Sequence, residues 1–264
     1  MFDSEGRSGA GRSALVTGGS SGIGLGIAQA LLEDGYGVTI VARQEAKLMA
    51  AARDLEQFGD IHACVADFRS EDAIEAAVAS HESRFGGLEV LVNNAGIAVG
   101  GPFERTRTKE IDLALGVNLR AAIVCTRAAI SMLVAAAPSQ IINVSSLTGL
   151  DPKPGLAAYG ASKAGLIAFT DVMRAEFASR GVKATALCPG FVDTAMSDVV
   201  RPFVDAADLI RVSDVVEIVR VLLRLSPGCV VPTVALEGPD RLEPWTRVSE
   251  GAARSAADGG ELKT

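Results

Sequence analysis

Thr17-Gly18-Gly19-Ser20-Ser21-Gly22-Ile23-Gly24 follows an apolar run at residues 14–17 and leads at once into a helical pattern. Between a strand and a helix these glycines acquire separate tasks. Gly18 can make the tight turn, Gly22 can let main-chain amides approach a pyrophosphate, and Gly24 can let the helix pack on the strand. The helix N-terminus adds unpaired N–H groups and partial positive charge for an anion. The G-x-x-x-G-x-G spacing differs from G-x-G-x-x-G, and no Gly-Lys-Ser or Gly-Lys-Thr follows, which argues against a nucleoside triphosphatase. Gly18, Ser20, Ser21, Gly22, Ile23 and Gly24 therefore read as a dinucleotide-binding turn.

Beyond this turn, short β-branched runs at residues 14–17, 38–42, 62–66, 90–93, 141–145, 183–188 and 233–236 alternate with helical patterns. The patterns cover 22–34, 44–58, 70–85, 108–137, 155–179 and 213–225. Strands separated by helix-length segments imply right-handed crossovers and a parallel sheet. Several runs are apolar almost throughout, as strands covered on both faces should be. The expected organisation is α/β: a flexible tail at 1–12, one doubly wound domain at 13–244 and a mobile tail at 245–264.

The chain has 264 residues, 48% hydrophobic and 22% charged, enough for one sizeable core. A net charge of -7 offers no cationic face for nucleic acid or anionic lipid. The polar, glycine-rich start lacks the apolar core of a secretory signal. Arg120, Arg127 and Pro138 are read as interrupting the apolar stretches before the ~18 residues of a membrane span. Cys64, Cys125, Cys188 and Cys229 are scattered, with only His62 and His81 to join them, so no metal site is expected and a reducing cytoplasm is. The segment 111–137 is apolar nearly all round, which suggests that another subunit covers part of it.

Tyr159 and Lys163 stand four apart in a helical pattern, on one face and about 6 Å apart along the axis. An ammonium beside a phenol favours phenolate, bringing proton exchange nearer neutral pH. Ser146 closes an apolar strand at the edge where open α/β sheets bind ligands, with Ser145 as its competitor. Asn118 interrupts an apolar helix and could hold a water behind Lys163 or satisfy local backbone. Arg43 ends the second strand where an NAD-selective site would place a carboxylate; it favours NADP(H), while Glu45 and the lack of a basic residue at Ser20 or Ser21 keep NAD(H) open. No Gly-x-Ser-x-Gly elbow supports a hydrolase.

Taken in order, residues 17–24, Asn93-Asn94-Ala95-Gly96, Asn118, Ser146, Tyr159-Gly160-Ala161-Ser162-Lys163 and Pro189-Gly190 resemble the short-chain dehydrogenase/reductase family over about residues 13 to 238. The resemblance implies a single Rossmann-like domain with a parallel sheet of about seven strands, assembled as a homotetramer or homodimer. It implies Tyr159 as general acid/base, Lys163 as its pKa-lowering and ribose-binding partner, Ser146 as the carbonyl-orienting hydroxyl and Asn118 as the end of a proton relay. Ser146 is preferred to Ser145 because it stands thirteen residues before Tyr159, as in bacterial ketoacyl reductases. Asp67-Phe68 resembles the adenine contact, Asn94 a neighbour of the adenosine ribose, and Val192 and Thr194 the nicotinamide carboxamide contacts. Residues 195–211 match the variable substrate lid, where Met196, Val199, Val200, Phe203 and Leu209 suggest an apolar or amphipathic substrate. Leu236-Glu237-Gly238-Pro239 departs from the family's usual doubled glycine. The activity implied is NADP(H)-linked interconversion of a small-molecule carbonyl and a secondary alcohol; the competing reading is a cofactor-binding sensor without turnover.

Overall fold

The computed structural model describes residues 12–238, apart from Val199 and Phe203. The terminal tails beyond Arg12 and Gly238, Pro239, and the lid residues Val199 and Phe203 lie outside the described residues. Seven parallel strands form one sheet in the order β3-β2-β1-β4-β5-β6-β7. They are β1 (Ser13–Thr17), β2 (Gly37–Ala42), β3 (Ile61–Val65), β4 (Val90–Asn93), β5 (Ser139–Val144), β6 (Val182–Pro189) and β7 (Thr233–Leu236). The chain winds outward from β1 to β3, then returns to place β4 on the other side of β1. That reversal opens a crevice at the carboxyl ends of β1 and β4, the position where such sheets bind ligands.

The helices are α1 (Gly22–Glu33), α2 (Glu45–Leu55), α3 (Glu71–Phe85), α4 (Thr108–Leu115), α5 (Ala121–Ala135), α6 (Leu147–Leu150), α7 (Ala157–Phe177) and α8 (Val212–Arg224). Strand alternation feeds two cores. Val16, Val92 and Ile142 pack with Ile27, Leu31, Leu48 and Val215 of α1, α2 and α8. Leu15, Leu91 and Ile141 pack with Ile74, Val78, Val124 and Leu133 of α3 and α5. A sheet covered on both faces can carry apolar residues in both directions, which explains the strands' near-continuous hydrophobicity.

Several boundaries differ from the sequence reading, most of them by one to three residues. The pattern at 108–137 is divided by a π-helical turn, Gly116–Arg120, and α5 stops at Ala135. Helix α7 begins at Ala157 rather than 155, and α6 forms directly after Ser146. The span Thr108–Ala135 also has the length and composition of a membrane crossing, with a mean hydropathy of 1.5 in its most apolar 18-residue window, contrary to the expected interruption by arginines. Half of that window is buried inside the protein. Arg120 and Arg127 pair with Glu71 of α3, and Arg127 also pairs with Glu75 at 2.6 Å, so this is a core-packed helix with a charged outer stripe.

Buried polar side chains fix the helices to the sheet. Asn93 Nδ2 donates to Asn143 Oδ1 at 2.8 Å and to Thr126 Oγ1 of α5 at 3.0 Å, while Asn143 Nδ2 donates to Thr170 Oγ1 of α7 at 2.8 Å. Near the amino ends of the strands, fully buried His81 lies 2.9 Å through Nε2 from Gly87 O and 2.7 Å through Nδ1 from Thr39 Oγ1. A carbonyl can only accept, so Nε2 carries the hydrogen and Nδ1 accepts from Thr39. Burial pushes this imidazole down to about 4 and keeps it neutral near pH 7, the backbone bond to Gly87 opposing the shift.

Candidate active site

The glycine turn has the backbone its sequence implied. Gly18 and Gly22 have φ of 68° and 54°, in the left-handed region that glycine enters without side-chain strain. At Gly24, an added Cβ would come within 2.4 Å of both Gly18 O and Asn94 Nδ2, so helix and turn approach backbone to backbone. Ser21 is the N-cap of α1 in extended conformation but makes no side-chain capping bond, and the first turn has no acidic residue. The helix therefore keeps its N–H groups and positive end for an anion.

Asn94 holds this turn from beneath. Its Nδ2 donates to Thr17 O at 3.0 Å and Gly18 O at 3.2 Å, while Thr17 Oγ1 accepts from the main-chain nitrogens of Asn94 and Ala95. Thr194 lies opposite: a Cβ on Gly22 would stand 3.1 Å from its Cγ2. Val192 is buried and bridges to Ile210, and its carbonyl accepts from Ser197 Oγ at 2.6 Å, which secures the segment beyond Pro189-Gly190. Glycine curvature, an uncapped helix start and a facing threonine together fit a dinucleotide's diphosphate and nicotinamide end.

Along the same edge of the sheet, Arg43 is exposed just beyond β2. Asp67 is engaged by Arg69: Nε is 3.0 Å from both carboxylate oxygens, and the Arg69 main-chain nitrogen adds a bond of 3.0 Å. These hydrogen bonds, with smaller electrostatic help from Arg69 and Arg43, hold the Asp67 carboxyl down at about 2. Arg69 went unnoticed in the sequence; a basic residue two places after an aspartate and just before a helix cap was the available signal. Beside it, the Phe68 ring turns inward. It is buried in the core beside Leu15, Val41 and Ile74, which leaves its main chain, not its ring, for a cofactor.

Ser146 caps α6, its Oγ accepting from Thr148 N at 3.2 Å. Ser145 is more deeply buried and donates instead to Lys163 O at 2.8 Å, so the two serines divide into an outer and an inner hydroxyl. Tyr159 is partly buried in the first turn of α7. Burial raises its phenol above the ordinary value, and the Ser146 hydroxyl acts against that rise. Lys163 Nζ lies 5.8 Å from the Tyr159 ring centroid and donates to Val144 O at 2.8 Å, and burial lowers the ammonium to about 8.

Asn118 sits within the π-helical turn. Its Oδ1 accepts from Ile97 N at 2.8 Å; its Nδ2 donates to Ile97 O and Ser162 Oγ, both at 3.0 Å. The side chain thus ties the π-helical turn to the backbone at Ile97 and to the Ser162 hydroxyl of α7. Asn118 Oδ1 and Lys163 Nζ nevertheless converge: each would lie 3.4 Å from a Cβ placed on Gly96.

Ser146, Tyr159, Lys163 and Asn118 are therefore gathered beside the crevice, with the glycine turn and Thr194 across from them. The sequence profile described as short chain dehydrogenase matches residues 12–205. The chain is 38% identical over 189 residues to the 3-oxoacyl-(acyl-carrier-protein) reductase FabG of Staphylococcus aureus (strain Mu50), covering 71% of this chain and 77% of that protein. Among solved structures, a short chain dehydrogenase from Burkholderia cenocepacia J2315 in complex with NADP superposes with a TM-score of 0.79 at 32% identity, covering 86% of this chain and 96% of the other. A variant of actinorhodin polyketide ketoreductase with NADPH gives a TM-score of 0.78 at 32% identity over 85% and 94% of the two chains. The chain belongs to the short chain dehydrogenase family, oxidoreductases acting on CH–OH and C=O groups with NAD(P).

Proposed function

We propose that this enzyme interconverts a carbonyl compound and a secondary alcohol with NADP(H), using Tyr159 as the general acid/base. The observation that carries the reading is the convergence of partly buried Tyr159 with strand-end Ser146 and buried Lys163, whose Nζ lies 5.8 Å from the phenol ring centroid, beside the crevice. Gly18, Ser20, Ser21, Gly22, Ile23 and Gly24 would hold the diphosphate. Arg43 would meet the 2′-phosphate, Asp67 and the Phe68 backbone the adenine, Asn94 the ribose side of the turn, and Val192 and Thr194 the carboxamide. The bound nicotinamide supplies the hydride.

During reduction Ser146 orients the carbonyl oxygen and Tyr159 donates its phenolic proton to that oxygen. The raised phenol is protonated at neutral pH, the form that donation needs. Alcohol oxidation needs phenolate instead, so its rate rises with pH while the reductive rate falls as pH passes through the phenol's pKa. Lys163 holds the ribose through Nζ and adds positive charge near the phenol. Asn118 Oδ1 and Lys163 Nζ leave a polar approach beside Gly96 through which a proton can be resupplied.

Complexes of the related proteins with NADP and NADPH support the NADP(H) assignment, together with Arg43. Exposed Leu115, Ile123 and Val172 on α4, α5 and α7 support a homo-oligomer, and free cysteines support a reducing, cytoplasmic setting. Three of those thiols are buried, whereas Cys229 is exposed. Tyr159→Phe tests the mechanism. It should bind NADPH as the parent does and lose about 100- to 10,000-fold in kcat on any ketone the parent reduces. Near-parent turnover would reject it.

A further inference from the structure

Catalysis by this reading requires a hydroxyl on a strand end and a phenol on a helix to meet the same substrate oxygen. The strand end is Ser146, and the helix is α7. We propose that Ser145 is a positioning residue that sets the register between them; the proposal rests on the catalytic reading of Ser146, Tyr159 and Lys163.

Ser145 is anchored on both sides. Its main-chain nitrogen donates to Leu187 O of β6 at 2.7 Å, and its buried Oγ crosses to α7 to donate to Lys163 O at 2.8 Å. A second contact grips the same peptide. A Cβ on Gly149 would lie 2.8 Å from the Lys163 carbonyl carbon and 3.0 Å from Ala164 N, so α6 rests directly on the backbone of α7. Gly149 N in turn donates to Ser146 O at 2.9 Å. The turn that presents Ser146 thus holds the Lys163–Ala164 peptide at two points.

Two further bonds join strand and helix: Asn143 Nδ2 donates to Thr170 Oγ1 at 2.8 Å, two turns beyond Lys163, and at the site itself Lys163 Nζ donates to Val144 O. Nζ is the atom assigned to the ribose and the proton path, so that bond is subject to competition. The Ser145 bond uses only the Lys163 carbonyl and persists whatever the ammonium does. Tyr159 is one helical turn from Lys163, so a slip of α7 displaces both together. It would also withdraw the Ser146 hydroxyl that acts against the phenol's raised pKa, driving the phenol higher still.

The experiment uses the full chain, NADP(H) and a ketone–alcohol pair that the parent turns over, with kcat normalised to NADPH-binding sites measured by fluorescence titration. Ser145→Ala and Ser145→Gly delete the donor, Ser145→Cys weakens it and Ser145→Thr restores it. In the first two, kcat should fall about 10- to 100-fold while KM for NADPH stays within about twofold. The rising pH limb of alcohol oxidation should move to higher pH, and Ser145→Thr should recover most of the loss. Parent-like kcat and pH limb in the donor-free variants would overturn the proposal, as would a loss that vanishes on normalisation. If neither donor-free variant folds, Ser145→Cys decides: turnover well below Ser145→Thr supports the clamp, and equal turnover overturns it. Full activity in Tyr159→Phe would break the underlying mechanism, whereas a dead Tyr159→Phe with unaffected Ser145 variants would break this proposal alone.

Discussion

Near the amino ends of the strands, His81 is fully buried with both ring nitrogens engaged by Gly87 and Thr39. At the opposite, carboxyl edge, Tyr159 is partly open to solvent beside Ser146, and α1 starts without a side-chain cap. Both edges place titratable groups against apolar packing, and in both the neutral form is favoured. They differ in what is left over. The closed network leaves no proton to exchange, whereas the open edge retains a phenol, an ammonium and a row of amides directed at one crevice. Stability depends on the first kind of arrangement and chemistry on the second.

The sharpest way to break this contrast is Tyr159→Phe. It should cost about 100- to 10,000-fold in turnover and, because the packed ring is kept and only its hydroxyl is removed, leave the unfolding midpoint nearly unchanged. A large fall in thermal stability with retained turnover would reverse the roles of the two edges.

The closed edge should instead respond to acid. The folded His81 pKa, about 4, lies below the unfolded value near 6.5, so folding favours the neutral ring. Its contribution is present above the unfolded pKa and is lost as pH falls from about 6.5 toward about 4, a loss of order 3 kcal/mol at most. Urea unfolding at stepped pH, with the imidazole followed by NMR, measures both quantities. An imidazole titrating near 6.5 would show that the network is open.

Legibility followed the range of the interactions. The glycine turn and the Tyr159–Lys163 pair could be read because each is local, a matter of spacing within one turn. The parallel sheet and its two-faced core were legible from apolar runs that alternate with helical patterns. Ser145, Arg69 and His81 were not, since each takes its role from a partner set by the three-dimensional fold: a carbonyl on α7, a loop carboxylate, and groups on β2 and before β4. The π-helical turn was hidden for another reason. Val117 and Leu119 continue the apolar pattern of α4 and α5, and the main-chain bond from Ala121 N to Gly116 O, five residues back, reveals the turn. Phe68 follows the same rule: its place after a strand was legible, whereas the burial of its ring beside Leu15, Val41 and Ile74 was not.

Within the open edge, Gly24→Ala sharpens the comparison by filling a backbone contact while leaving every catalytic side chain in place. The new methyl would meet Gly18 O and Asn94 Nδ2 at 2.4 Å, and Gly18 O is backbone that cannot swing aside. Forcing them apart costs about 1–3 kcal/mol, which as lost NADPH affinity is roughly 5- to 150-fold. Calorimetric titration with NADPH is the measurement, and parent-like affinity would show that the turn is not the diphosphate cradle.

Arg43→Ala should produce the smallest effect. The side chain is exposed, so its attraction for a 2′-phosphate is screened by solvent and salt, and removal should weaken NADPH about tenfold at low ionic strength. NADH, which lacks that phosphate, should bind the parent and the variant alike. Raising the salt should shrink the NADPH difference without creating one for NADH. Equal weakening of both cofactors would mean that Arg43 acts through its neighbour instead, because its positive charge also helps hold Asp67 ionised on the adenine side. The selectivity ratio, rather than either affinity alone, therefore separates a phosphate-reading arginine from one that only supports the loop after β3.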